Sequence, residues 1–127
     1  MTVDKPALQS AHILLVDDEA AIRSVLRQLL ESFGHKVVDV ASAEQAVERI
    51  RAGYVPELVL LDRSMPGWPV RRAITEIRAE AKSAAIVLFT GQGVPDDEAA
   101  LVDGVLYKPM TVEELHQAIA RFARAPG

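Results

Sequence analysis

Four polar groups stand directly behind four short aliphatic runs, and their chemistries complement one another. Ile13-Leu14-Leu15-Val16 runs into Asp17-Asp18-Glu19, and Leu58-Val59-Leu60-Leu61 runs into Asp62. Ile86-Val87-Leu88-Phe89 runs into Thr90, and Val105-Leu106-Tyr107 into Lys108-Pro109. Carboxylates, a hydroxyl and an ammonium together suit a divalent cation plus a phosphoryl group. Adjacent carboxylates such as Asp17 and Asp18 repel unless a cation offsets them, and Mg2+ prefers oxygen donors of this kind. The same acidic residues would also suit the start of a helix on dipole grounds. Asp62 shifts the weight toward the cation, because a charge behind so apolar a run is penalised by desolvation unless something positive stands beside it. A carboxylate placed there can attack phosphorus and give an acyl phosphate. Such a transfer asks mainly for metal and fixed positive charge around the equatorial oxygens.

An aliphatic run bounded by polar punctuation marks a strand buried on both faces. In an open parallel sheet the carboxyl ends of the strands line one crevice, where ligands bind. That places Asp17, Asp18, Asp62, Thr90 and Lys108 at one edge. Helical signals alternate with the strands, the signature of an α/β domain with a mostly parallel sheet. Ile22, Val25, Leu26, Leu29, Leu30 and Phe33 predict the inner face of a first helix, with Arg23, Arg27, Gln28 and Glu31 opposite. Gly34 suits its close. Val37, Val38 and Val40 predict a second strand. Ser42 and Gln45 predict a capping box for a second helix, with Ala46, Val47 and Ile50 inward and an end near Gly53. Met65-Pro66-Gly67-Trp68-Pro69 reads as a loop, and Pro69 suits the first turn of a third helix carrying Ala73, Ile74 and Ile77. A short helix is expected around 96–102. Thr111 and Glu114 predict a capping box for a last helix with Leu115, Ala118, Ile119 and Phe122 inside.

The chain has 127 residues, enough for one domain with a real core and too few for two ordinary ones. A net charge of -4 argues against a broad nucleic-acid surface, so DNA binding by this chain is not expected. No apolar stretch approaches a membrane span, and the polar start Met1-Thr2-Val3-Asp4-Lys5-Pro6 lacks a signal peptide's apolar core. Cysteine is absent, which excludes disulfides and thiolate metal sites and agrees with a cytoplasmic protein. Residues 1–11 and 125–127 read as tails around a domain over 12–124.

Val16-Asp17-Asp18-Glu19, Asp62-Arg63-Ser64-Met65-Pro66-Gly67, Thr90-Gly91 and Lys108-Pro109, in this order and spacing, resemble the receiver domain of two-component response regulators. The resemblance covers residues 12–124. It implies a flavodoxin-like, doubly wound five-stranded parallel sheet in the order 2-1-3-4-5 with five helices. It implies Asp62 as phosphoacceptor, with Asp17, Asp18, Asp62 and the backbone carbonyl of Ser64 as Mg2+ ligands. Thr90 would follow the phosphoryl group, Lys108 would contact it, and Pro109 would follow a cis peptide bond. The donor would be a phosphohistidine on a sensor histidine kinase or phosphotransfer protein. The chain would then be a phosphorelay switch acting on an unknown downstream protein target. It would not be an enzyme beyond slow self-phosphorylation and self-dephosphorylation. Other readings stay open: a pseudo-receiver interaction module that works without phosphorylation, or a receiver fragment of a hybrid kinase. An aspartate-nucleophile phosphatase is disfavoured, because the second acid such enzymes place two positions after the nucleophile is Ser64 here.

The chain departs from the receiver pattern in three places. An aromatic residue usually stands three positions before the lysine and reports the state of the site by rotating; here it is Val105, with Tyr107 on the other parity of the strand. The segment between Thr90 and Lys108 is about one helical turn short, so the fourth helix should be short or irregular and the dimer face altered, leaving a monomer or weak dimer. Trp68-Pro69-Val70 replaces the usual Met-Asp-Gly, and Trp68 either contacts a partner or covers its own loop. His12, His35 and His116 are expected at strand edges or helix surfaces, and Arg71-Arg72 on a solvated face.

Overall fold

In a computed structural model, which describes residues 10–123, strand and helix alternate five times. The elements are β1 (His12–Val16), α1 (Ala20–Ser32), β2 (Lys36–Val40), α2 (Ala43–Arg51) and β3 (Leu58–Asp62), followed by α3 (Val70–Glu80), β4 (Ala85–Thr90), α4 (Asp96–Ala99), β5 (Gly104–Tyr107) and α5 (Val112–Phe122). Residues 1–9 and 124–127, most of the expected tails, lie outside the described residues. The strands pair in parallel in the order β2-β1-β3-β4-β5, the flavodoxin-like winding. Burial explains the order. β3 and β4 are buried at every residue and take inner places, while β2 and β5 carry exposed or half-exposed residues and form the edges.

Alternate residues of each strand feed opposite layers. Leu14, Val16, Val59, Leu61, Ile86 and Leu88 pack with Ala46, Val47, Ile50, Ile74 and Ile77 of α2 and α3. Ile13, Leu15, Leu58, Leu60, Val87 and Phe89 pack with Leu30, Leu115 and Ile119 of α1 and α5. Each inner strand end is thus held from both sides, which fixes the groups that follow it.

The helix signals hold with adjustments. Thr111 and Glu114 form a complete capping box at α5. At α2 the Ser42 hydroxyl accepts from the Gln45 N–H, but the Gln45 side chain reaches back to the Ala41 N–H rather than to Ser42. Pro69 sits one residue before α3, as its cap. Helix α4 is four residues long. No helix among the described residues is long and apolar enough to cross a membrane.

Helix α1 differs from the expected face. Ile22 and Val25 are 41% and 64% exposed, and Leu26, Leu29, Leu30 and Phe33 alone of the expected stripe meet the core. Arg23 sets this rotation. Its guanidinium donates to the Asp39 carboxylate at 2.9 Å and to the Asp17 carbonyl at 2.7 Å, which turns it toward the β1–β2 edge.

His35 is buried rather than exposed, and its Nδ1 accepts from the N–H of Ala11 at 3.0 Å. Ala11, read from sequence as tail, is itself buried, and its carbonyl accepts from the Lys36 N–H. His116 is half-buried with its ring 4.6 Å from that of Phe33. Burial first, and then the charge of His116, hold His35 below its ordinary value, with Glu57 opposing. The folded chain therefore favours the neutral ring. Stability is full above 6.5, the ordinary value, and is lost as pH falls from there toward the depressed folded value. Urea melts at descending pH should show this loss in the wild type, and His35→Gln should flatten it. Parallel curves for the two would show that His35 does not titrate differently on folding.

Candidate functional site

Asp17 follows β1 and is fully buried. Its backbone is tied on both sides: the N–H donates to the Val40 carbonyl at 3.2 Å and the carbonyl accepts from Arg23. One side-chain oxygen, Oδ1, accepts from the Glu19 N–H at 2.9 Å. The other, Oδ2, is buried with no hydrogen-bond partner. Asp62 ends β3 and is 3% exposed. Its Oδ1 accepts from the Ser64 N–H at 3.0 Å and lies 3.7 Å from the Lys108 Nζ. Asp18 stands exposed at the rim, and one oxygen from each of Asp17, Asp18 and Asp62 lies within 4.8 Å of the others.

Burial raises the Asp62 carboxyl above the ordinary carboxylate range; the Ser64 amide and Lys108 pull it down, and Asp17 pushes it up again. A buried carboxylate oxygen without a donor is costly, and clustered negative charge adds to the cost. The donors are all oxygens, the set a hard divalent cation takes. The residues present therefore fit Mg2+.

Thr90 ends β4 and is 1% exposed. Its hydroxyl accepts from the Gln92 N–H at 3.0 Å and donates to the Gln92 carbonyl at 3.2 Å. Its carbonyl accepts from the Lys108 N–H at 2.8 Å, which fixes the lysine beside it. The Lys108 Nζ lies 4.8 Å over the Phe89 ring, and the Lys108–Pro109 bond is cis. The sheet thus brings Asp17, Asp18, Asp62, Thr90 and Lys108 to one edge, with Ser64 drawn in by its amide.

The response regulator receiver domain family model matches residues 13–120. The chain belongs to this family. The receiver domain is 35% identical to the two-component response regulator ORR41 of Oryza sativa subsp. japonica, over 94% of this chain and 99% of that protein. It is 34% identical to the two-component response regulator PhoP of Pseudomonas aeruginosa, over 88% of this chain and 51% of that protein. It therefore spans about half the length of that relative. Among solved structures, the response regulator TrrA of Thermotoga maritima, in complex with Mg2+-BeF, superposes with a TM-score of 0.80 at 30% identity, over 88% of this chain and 98% of that one.

This receiver domain also carries groups with no local mark in the sequence. Glu98 of α4 is buried, and both Nε and Nη2 of Arg63 donate to its carboxylate. The pair spans 35 residues of chain, so no short-range pattern announces it; the only hint is a basic residue wedged between Asp62 and Ser64. Arg71 and Arg72 lie on an exposed face as expected, from which Arg71 reaches Asp97 of α4 and Arg72 stacks 4.4 Å over the Trp68 ring. Trp68 itself is half-buried against the α2–α3 layer. Tyr107 is 54% exposed and Val105 is half-buried.

Proposed function

We propose that this receiver domain takes a phosphoryl group onto Asp62 from a phosphohistidine of a sensor histidine kinase or phosphotransfer protein. Asp17, Asp18, Asp62 and the Ser64 carbonyl would hold Mg2+. One observation carries the reading: Asp62 is buried at a strand end between the unpartnered Oδ2 of Asp17 and the Nζ of Lys108, 3.7 Å away. A carboxylate oxygen of Asp62 forms the new O–P bond as the N–P bond of the donor breaks, and the imidazole nitrogen keeps that electron pair. Lys108 supplies fixed positive charge to the equatorial oxygens. When bound, the cation neutralises charge on the carboxylates and on the phosphoryl oxygens together. Thr90 must redirect the hydrogen it donates to the Gln92 carbonyl before its hydroxyl can donate to a phosphoryl oxygen, while the bond it accepts from the Gln92 N–H can stay. Slow hydrolysis returns Asp62 to its carboxylate, so the chain is a switch rather than a turnover enzyme. The charge gained in between biases a surface that a downstream protein reads.

Intact-mass measurement after incubation with Mg2+ and acetyl phosphate tests this. The wild type should gain one phosphoryl group, and neither Asp62→Ala nor the wild type in EDTA should do so. No gain under conditions that label a control receiver would leave the second reading, an interaction module working without phosphorylation. Val105, which has no ring to turn, is the observation that favours that alternative.

A further inference from the structure

One peptide bond joins Asp17 to Asp18, two of the three clustered carboxylates. It lies between the end of β1 at Val16 and the start of α1 at Ala20. The carbonyl of Glu19, which caps the helix, accepts from the Arg23 N–H at 2.9 Å. Asp17, two residues earlier, stands outside that ladder, and its carbonyl needs a donor from elsewhere. The side chain of the same Arg23 supplies it, reaching back with Nη1 to the Asp17 carbonyl at 2.7 Å. The guanidinium is itself anchored on β2, where its Nε donates to Oδ2 of Asp39 at 2.9 Å. Arg27 holds the other Asp39 oxygen, so that carboxylate is fixed from both sides. The neighbouring Val40 carbonyl accepts the Asp17 N–H. Both backbone groups of Asp17 are thus set by the last two residues of β2.

We infer that Arg23 is a positioning residue for the divalent cation, fixing the peptide that joins Asp17 to Asp18, an inference that rests on the acidic cluster holding Mg2+. A peptide unit is rigid and turns about one soft bond on each side. If its carbonyl were free to turn, it would carry the Asp18 carboxylate away from that of Asp17. Asp17 has a further hold, the bond from the Glu19 N–H to its Oδ1. Asp18 is exposed and takes its place from the peptide. Groups that hold metal ligands in place are typically worth 10–100-fold in affinity. Charge acts in the opposite sense, since a cationic side chain near the site disfavours a cation. That charge is paired with Asp39, the two side chains being 19% and 21% exposed, so its field at the cluster is largely offset. Position outweighs charge, and the sign of the effect separates the two.

Titration of Mg2+ followed by proton–nitrogen NMR tests this on the wild type, Arg23→Met and Arg23→Lys. The amides of 17–19 and 62–64 give the affinity, and the rest of the spectrum reports the fold. Methionine keeps the apolar stem and removes every donor, so the Mg2+ dissociation constant should rise about tenfold. Lysine keeps a donor for the carbonyl, and the rise should be less than about threefold. Arg23→Ala, which favours the helix, should repeat the tenfold rise if the methionine variant folds poorly. Unchanged affinity in a folded donorless variant would overturn the inference, leaving Arg23 as a tie between α1 and β2. Tighter binding would overturn it too, by making Arg23 a repelling charge. Absence of saturable shifts in the wild type would instead sink the Mg2+ reading, and the role of Arg23 with it.

Discussion

Asp62→Asn is expected to make the metal-free protein more stable by about 1–3 kcal/mol while abolishing the phosphoryl uptake proposed above. Asparagine keeps the shape and can still accept from the Ser64 N–H. It removes one negative charge from a group of three carboxylates within 4.8 Å. Lys108 loses an attraction, but at 3.7 Å and with its side chain 36% exposed that loss is small. The raised Asp62 carboxyl has the same meaning: burial and Asp17 together outweigh the Ser64 amide and Lys108. In EDTA the melting temperature should rise by about 3–10 °C. With Mg2+ the gap should narrow or reverse, because the cation stabilises the wild type in proportion to its binding. An unchanged or lower melting temperature in EDTA would mean that the cluster holds no repulsion to relieve.

Gly104→Val should destabilise the fold by about 2–3 kcal/mol, although valine is the better strand former. The reason is not backbone conformation, since Gly104 is not in the left-handed region. A Cβ there would lie 2.5 Å from Cζ of Phe122 and 2.8 Å from Cε2. The ring would have to leave β5, and the last turn of α5 would lose its anchor on the layer below. In a Phe122→Ala background the same substitution should cost less than about 1 kcal/mol. Urea denaturation of the four proteins decides the matter; equal costs in both backgrounds would show that the ring is not what valine meets.

Much of the site was legible because its residues follow the most ordered part of the chain. An aliphatic run that must be buried on both faces has one direction and one end, so Asp62 and Thr90 are placed by their neighbours alone. The same reasoning failed on α1, where the apolar spacing put Ile22 and Val25 inside. Periodicity weighs apolar residues and cannot see that Arg23 finds the Asp39 carboxylate and the Asp17 carbonyl, contacts that turn the helix. His35 escaped for a related reason: the Ala11 amide that satisfies its Nδ1 lies 24 residues away. The shortness of α4 was visible as a missing turn. Its tether was not, because Arg63 and Glu98 meet only once β3 and the segment after β4 are folded together.

The division between strands and side chains has a consequence for how this protein tolerates change. The proposed acceptor chemistry rests on the ends of four strands, three of them buried through both layers, where almost any substitution disturbs the whole sheet. Helix α4, by contrast, is four residues long and is held by one forked ion pair and by the half-covered Val94 and Val102. Replacements in that segment should therefore be absorbed locally, without disturbing the sheet that holds the acidic cluster.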